Sequence, residues 1–216
     1  MFEELKERHV SSIGEELYRK YSVMVPLLKR GDMVYVLFER RSDKLKRQPG
    51  EICFPGGARE GDESSRENAV RETSEELCIS RDQIRVIAHM DTLFTVYSNQ
   101  VSVYMCELTG YEMTFSKDEV AEVFLVPLQY FLENKPEVYQ TTLIQKTPDD
   151  FPYDSVPGGR EYNWRHGKRN VYFYFYMQYT IWGMTAYIMH SVVSILKNEA
   201  SGSLPQEEDD DERVRT

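Results

Sequence analysis

The residues best suited to chemistry lie in one heptapeptide, RETSEEL, from Arg71 to Leu77, whose glutamates are Glu72, Glu75 and Glu76. On a helix turning about 100° per residue these three fall in one sector, so their carboxylates are neighbours in space. Like charges four residues apart cost a helix roughly 0.2 to 0.5 kcal/mol, and Arg71 offsets only part of that. Carboxylate oxygens gathered in this way suit Mg²⁺ or Mn²⁺, hard cations that keep positions free for substrate phosphates. By itself a charged helix face is ordinary solvated surface. The turn before it adds to the pattern, because FPGG, Phe54 to Gly57, carries paired glycines whose backbone can approach a diphosphate closely.

The element that must hold the glutamates is a helix. Ser64 followed by Glu67 fits a capping box, so the helix starts there and runs to Leu77, with Ala69, Val70, Thr73 and Leu77 on its core face. Ahead of it, SVMVPLLKR and DMVYVLFERR meet around Arg30-Gly31-Asp32 and read as a β-hairpin. The segment FEELKERHVSSIGEELYRKY before them reads as one or two short helices broken near Gly14. After the acidic helix come strand candidates in IRVIAHMDTLFTV, QVSVYMCEL and VAEVFLVPL, and a short helix, YFLENKP, ended by Pro136. A polar loop from about Lys146 to Lys168 has the length of a binding loop or lid. VYFYFYMQY reads as one strand, and a helical pattern spans Thr185 to Lys197. Strands mixed with few helices indicate an α+β or layered α/β/α domain.

The chain has 216 residues, 41% of them hydrophobic, which supports one globular domain of ordinary size. We expect that domain over 1–198 and a disordered acidic tail over 199–216, where EEDDDE concentrates six of the acids behind the net charge of -10. Cys53, Cys78 and Cys106 have no paired short spacing, and no apolar signal segment opens the chain, so a reducing, cytoplasmic setting without disulfide or zinc is expected. The stretch IWGMTAYIMHSVVSIL is interrupted by Gly183, Thr185, His190 and Ser191 and is too short to span a bilayer. Neither a membrane nor nucleic acid is an expected partner, the second for want of a broad basic face. His9, His89, His166 and His190 share no ligand spacing.

On these residues the sequence resembles the Nudix hydrolases. Gly57, Glu63, Arg71, Glu72, Glu75, Glu76 and Ile79 stand in register with that family's signature, while Thr73 replaces an apolar residue and Cys78 the closing glycine. A residue with a Cβ in the left-handed cap conformation costs about 1 kcal/mol or more. The resemblance implies an α/β class Nudix fold, an α/β/α sandwich with a mixed sheet and a catalytic loop-helix-loop. It also implies metal-dependent hydrolysis of a nucleoside diphosphate linked to another group. Glu72 and Glu76 would be metal ligands, Glu75 a third ligand or the base, and Glu63 would act through a metal-bound water. Arg71 would orient the glutamates. Family members often place the base beyond this box, where Glu119 and Glu122 are candidates and Asp118 a third. In a strand, residues three apart face opposite sides, so at most one of the two glutamates should reach the site.

Upstream, LFERRSDKLKRQPGEICFPGG looks like the additional motif of the coenzyme A pyrophosphatase branch. Arg41, Ser42, Gly50, Phe54, Pro55, Gly56 and Gly57 match it, Lys46 fills its basic position in place of the more usual Arg, and Phe38 and Glu39 replace the more usual Leu and Thr. Coenzyme A carries a 3'-phosphate besides its diphosphate, a charge that Arg40, Arg41, Lys44, Lys46 and Arg47 could compensate. The likeness covers about residues 20–197 and implies a small-molecule substrate, coenzyme A or an acyl derivative, split into 3',5'-ADP and 4'-phosphopantetheine. The assembly stays open between a monomer and a homodimer. Alternatives are a diadenosine polyphosphate hydrolase, which Tyr97 fits by spacing, and a ligand-binding domain without turnover. The terminal Val214-Arg215-Thr216 is not the peroxisomal tripeptide of some relatives, in keeping with a cytoplasmic location.

Overall fold

The computed structural model describes Lys6 and residues 12–201. Most of the expected N-terminal helical segment, and the tail beyond 201, lie outside the described residues. The order is β1 (Arg19–Arg30), β2 (Met33–Arg41), β3 (Ile52–Cys53), β4 (Gly56–Ala58), α1 (Ser65–Glu76), β5 (Ile84–Phe94), β6 (Asn99–Leu108), β7 (Val120–Pro127), α2 (Leu128–Glu133), β8 (Glu137–Leu143), β9 (Gly167–Tyr176), β10 (Tyr179–Trp182) and α3 (Gly183–Ser201).

β1 and β2 form the expected hairpin, with Arg30 opposite Met33. The main sheet runs β3-β2-β1-β6-β5, with β4 added to β1 and β7 to β2. Among the described residues only β1 and β6 pair in parallel within it, so the sheet is mixed. Alternate residues of the central strands feed two cores. Met24, Leu28 and Leu37 pack with Ala69 of α1 and with Leu77, which caps its end. Val25, Val36 and Phe38 pack on the other side with Phe131 of α2 and with Ala186, Met189 and Val193 of α3. Helices on both faces make an α/β/α sandwich, and double coverage explains why β2 reads as a continuous apolar run. Phe38 anchors the second core, stacked on Phe54 and Phe124. Burying a side chain of this size stabilises by roughly 1.5 to 3 kcal/mol.

Several expectations need correction. Arg19, Lys20 and Tyr21 open β1 instead of continuing a helix, because they pair with Asn99, Gln100 and Val101 of β6; Glu15–Leu17 is a single 3₁₀ turn. VYFYFYMQY is not one strand. It breaks at Met177 and Gln178, with Tyr176 opposite Tyr179 and Met177 at φ 52°, so β9 and β10 form a hairpin. β8, EVYQTTL, went unrecognised; it pairs with β9 and completes a second, three-stranded antiparallel sheet. Helix α3 continues past Lys197 to Ser201, into residues expected to be tail.

Candidate active site

Helix α1 is fixed at both ends by its own sequence. Ser64 Oγ accepts from the Glu67 N–H at 3.2 Å, and Glu67 Oε2 accepts from the Ser64 N–H at 2.8 Å, which closes the capping box. At the other end Cys78 takes the left-handed place of a glycine, φ 53°. The Ile79 N–H donates to the Ser74 carbonyl at 3.0 Å and the Cys78 N–H to that of Glu75 at 3.3 Å, the pairing of a Schellman cap. Thr73 is buried on the core face, where its hydroxyl donates to the Ala69 carbonyl at 2.7 Å and so carries no unmet polar group.

Glu72 and Glu76 line a cleft of about 650 Å³ together with Gly56, Gly57, Cys53, Phe54, Arg41, Arg47, Tyr97, Glu119, Arg169 and Trp182. Glu76 is 5% exposed, and its Oε2 accepts from the Gly56 N–H at 2.8 Å. Burial, reinforced by the nearby Glu39, pushes its carboxyl up to about 10. Burial also raises Glu72, against the pull of Arg71. Gly57 leaves the Glu72 carboxyl its place, since a Cβ there would come within 2.7 Å of Glu72 Oε2 and closer to the other carboxyl atoms. At Gly56 a Cβ would lie 2.8 Å from the Val23 Cα, and its φ of 154° is one that side chains rarely adopt.

Arg71 ties the acids together. It holds Glu63 with two bonds, Nε to Oε2 at 3.1 Å and Nη2 to Oε1 at 2.9 Å, and reaches Glu75 Oε2 at 3.0 Å and Glu72 Oε1 at 3.0 Å. The paired guanidinium holds the Glu63 carboxyl down at about 2. Glu63 and Glu75 therefore turn toward Arg71, and Glu75 remains 58% exposed. Among the described residues no three acids, cysteines or histidines stand preformed around a metal position. Glu72 and Glu76 nevertheless fit a divalent cation chemically: both are hard oxygen donors on one helix face, and burial, with neighbouring carboxylates adding to it, raises both.

The other expected residues divide. Arg41, Phe54, Gly56 and Gly57 line the cleft, whereas Arg40, Ser42, Lys46 and Gly50 do not. Arg40 is paired with Asp43 at 3.0 Å. The Ser42 N–H donates to the Glu119 carbonyl at 2.8 Å, and the Gly50 N–H to that of Arg41 at 3.1 Å, so these two shape the loop. Glu119 lines the cleft from the turn before β7, while Glu122, on β7, accepts from the Tyr179 hydroxyl at 2.6 Å and is not part of the lining. No residue of the loop 144–166 lines it either.

Sequence reasoning missed Glu39, which is buried with the Cys53 thiol donating to Oε1 at 3.4 Å. Burial lifts its carboxyl to about 7. The signal was strand alternation, which sets Glu39 on the face of Leu37, toward α1. Arg169 and Trp182 were also missed, and no local pattern marks them.

The NUDIX domain family model matches residues 18–145, and these contain the whole glycine-glutamate array. The chain belongs to the Nudix family. It is 42% identical over 138 residues to the mouse peroxisomal coenzyme A diphosphatase NUDT7, a match covering 61% of this chain and 56% of that protein's length. Nudix hydrolase NudL of Pectobacterium atrosepticum is 30% identical over 177 residues, 81% of each chain. Among solved structures, a MutT/nudix family protein from Enterococcus faecalis superposes with a TM-score of 0.50 at 15% identity, covering 91% of this chain and 68% of that one, a likeness of fold. This Nudix chain has, among its described residues, no helix long and apolar enough to cross a membrane.

Proposed function

We propose that this Nudix protein hydrolyses the diphosphate of coenzyme A or an acyl derivative, with Mg²⁺ or Mn²⁺ held by Glu72 and Glu76. The observation that carries the reading is the pair itself: two carboxylates opening into one cleft beside the Gly56-Gly57 turn and the guanidiniums of Arg41 and Arg47. The 42% identity to a protein named as a coenzyme A diphosphatase supports the choice of substrate. A cation bound there supplies charge neutralisation for the diphosphate. The protein's own groups do the rest. Gly56 and Gly57 let the backbone approach the phosphates, the Gly56 N–H fixes Glu76, and Arg71 keeps Glu63, Glu72 and Glu75 in register. Glu119, the exposed carboxylate in the cleft, takes a proton from water as its oxygen bonds to one phosphorus. The bridging P–O bond breaks, and the leaving phosphate departs with the electron pair. Glu75, held by Arg71, and Glu122, held by Tyr179, are less suited to that role.

Chromatography of an incubation with coenzyme A and Mg²⁺ or Mn²⁺ tests this. Equal amounts of 3',5'-ADP and 4'-phosphopantetheine are expected, and Glu76→Gln should lower the rate at least about 100-fold, equivalent to ~2.7 kcal/mol of barrier. Tyr97 in the cleft favours one second reading, a dinucleoside polyphosphate substrate. Cleavage of diadenosine tetraphosphate without cleavage of coenzyme A would select it. A cytoplasmic location is part of the proposal, and imaging of the tagged full chain decides between it and the peroxisome named for the mouse relative.

A further inference from the structure

Three arginines line the cleft, and one comes from outside the basic segment at 40–47. Arg169, on β9, stands with its guanidinium carbon 5.6 Å from the ring centroid of Tyr97, in the turn between β5 and β6. A cation over a ring face is attracted to it without using any of its N–H donors, which stay available. Among the described residues no carboxylate lies within ion-pair distance of Arg169. Arg41, by contrast, is opposed by the buried Glu39. The register gives the pair's position. Ser22 stands opposite Gly57 of β4, and Arg19 opposite Asn99 at the base of the Tyr97 turn. Three strand residues span about 10 Å, so the Arg169–Tyr97 pair lies beside the Gly57 turn and not over it. A diphosphate seated on the glycines leaves that cation unused, whereas a phosphate across the attached ribose would reach it.

We propose that Arg169, oriented by Tyr97, binds the 3'-phosphate of the substrate's ribose and selects for substrates that carry it. The inference rests on the coenzyme A reading for its substrate. Its test therefore pairs turnover of coenzyme A and 3'-dephospho-coenzyme A with calorimetric binding of 3',5'-ADP and AMP, in wild type and R169Q. Wild type should bind 3',5'-ADP about tenfold more tightly than AMP, the worth of a charge-assisted contact. R169Q should abolish that difference without changing AMP binding. In turnover it should raise KM for coenzyme A about tenfold with kcat nearly unchanged, and leave 3'-dephospho-coenzyme A unaffected. R169K should retain part of the preference, and Y97L should lose part. A wild type that binds both nucleotides equally, or an R169Q that weakens both alike or neither, overturns the inference. Failure of wild type to cleave either coenzyme removes the coenzyme A reading alone, because the nucleotide comparison still decides the role of Arg169.

Discussion

Gly57 and Glu72 meet face to face: the Glu72 carboxyl occupies the space where a Cβ at Gly57 would stand, with Oε2 2.7 Å from that point. Gly57 is needed for this approach and not for an unusual backbone angle, since β4 pairs it regularly with Ser22. Gly57→Ala should fold, with Glu72 pushed aside. A displacement of about 1 Å at a reacting centre costs on the order of 100-fold, so kcat should fall by about that factor. Steady-state kinetics beside a melting curve checks this. Full activity with an intact fold would mean that Glu72 does not act from its observed position.

Glu39 makes the site's neighbourhood sensitive to pH. Among the described residues its Oε2 is buried without a hydrogen-bond partner, and burial holds the carboxyl near 7 against an ordinary 4.5. A raised value means that the folded protein keeps a proton the unfolded chain has released. The stabilising contribution is complete below 4.5 and is lost as pH rises through about 7. Glu39→Gln should flatten the fall of Tm across that window, by an amount on the order of 3 kcal/mol at its alkaline end. Thermal melts of both proteins at a series of pH values measure it. Parallel Tm curves would show that Glu39 does not titrate there.

Arg71 and Glu63 carry the opposite sign. The two-bond contact holds the Glu63 carboxyl at about 2, so its contribution is present above 4.5 and lost as pH falls through about 2. In Arg71→Gln the Glu63 carboxyl should return toward the ordinary carboxylate range, followed by side-chain NMR. An unchanged midpoint would assign the depression to the Glu60 N–H and Asn68, which also donate to Glu63 Oε1, at 2.7 and 3.1 Å.

What the sequence made legible was local or framed by a fixed spacing. The Ser64–Glu67 cap, the sector of Glu72 and Glu76, and the β1–β2 hairpin each depend on residues a few positions apart. The family resemblance supplied the sandwich around them. Partners distant in the chain were not legible. Nothing near Glu122 signals that Tyr179 will hold it, and nothing near Arg169 signals Tyr97. The basic segment looked uniform, yet Arg40 pairs with Asp43 and Lys46 does not line the cleft, while the bonds of Gly50 and Ser42 shape the loop that carries them. β8 escaped because its strand character depends on pairing with β9, across the loop at 144–166.

Cys78 carries the last prediction. The helix end it forms is complete: the Ser74 and Glu75 carbonyls accept from Ile79 and Cys78, those of Glu76 and Leu77 from the Ser116 N–H and the Thr114 hydroxyl, at 2.7 Å each. The bonds of a glycine cap are thus all made, and what remains is the strain of a Cβ at φ 53°. That strain is worth about 1 kcal/mol, offset in part by the greater freedom glycine has in the unfolded chain. The exposed thiol gives back only a weak contact to the Glu75 carbonyl, at 3.7 Å. Cys78→Gly should therefore raise stability by about 0.5 to 1 kcal/mol and leave turnover unchanged, since no cleft-lining group moves. Denaturant unfolding of both proteins measures the difference, and a destabilised glycine variant would show that the cap is not strained.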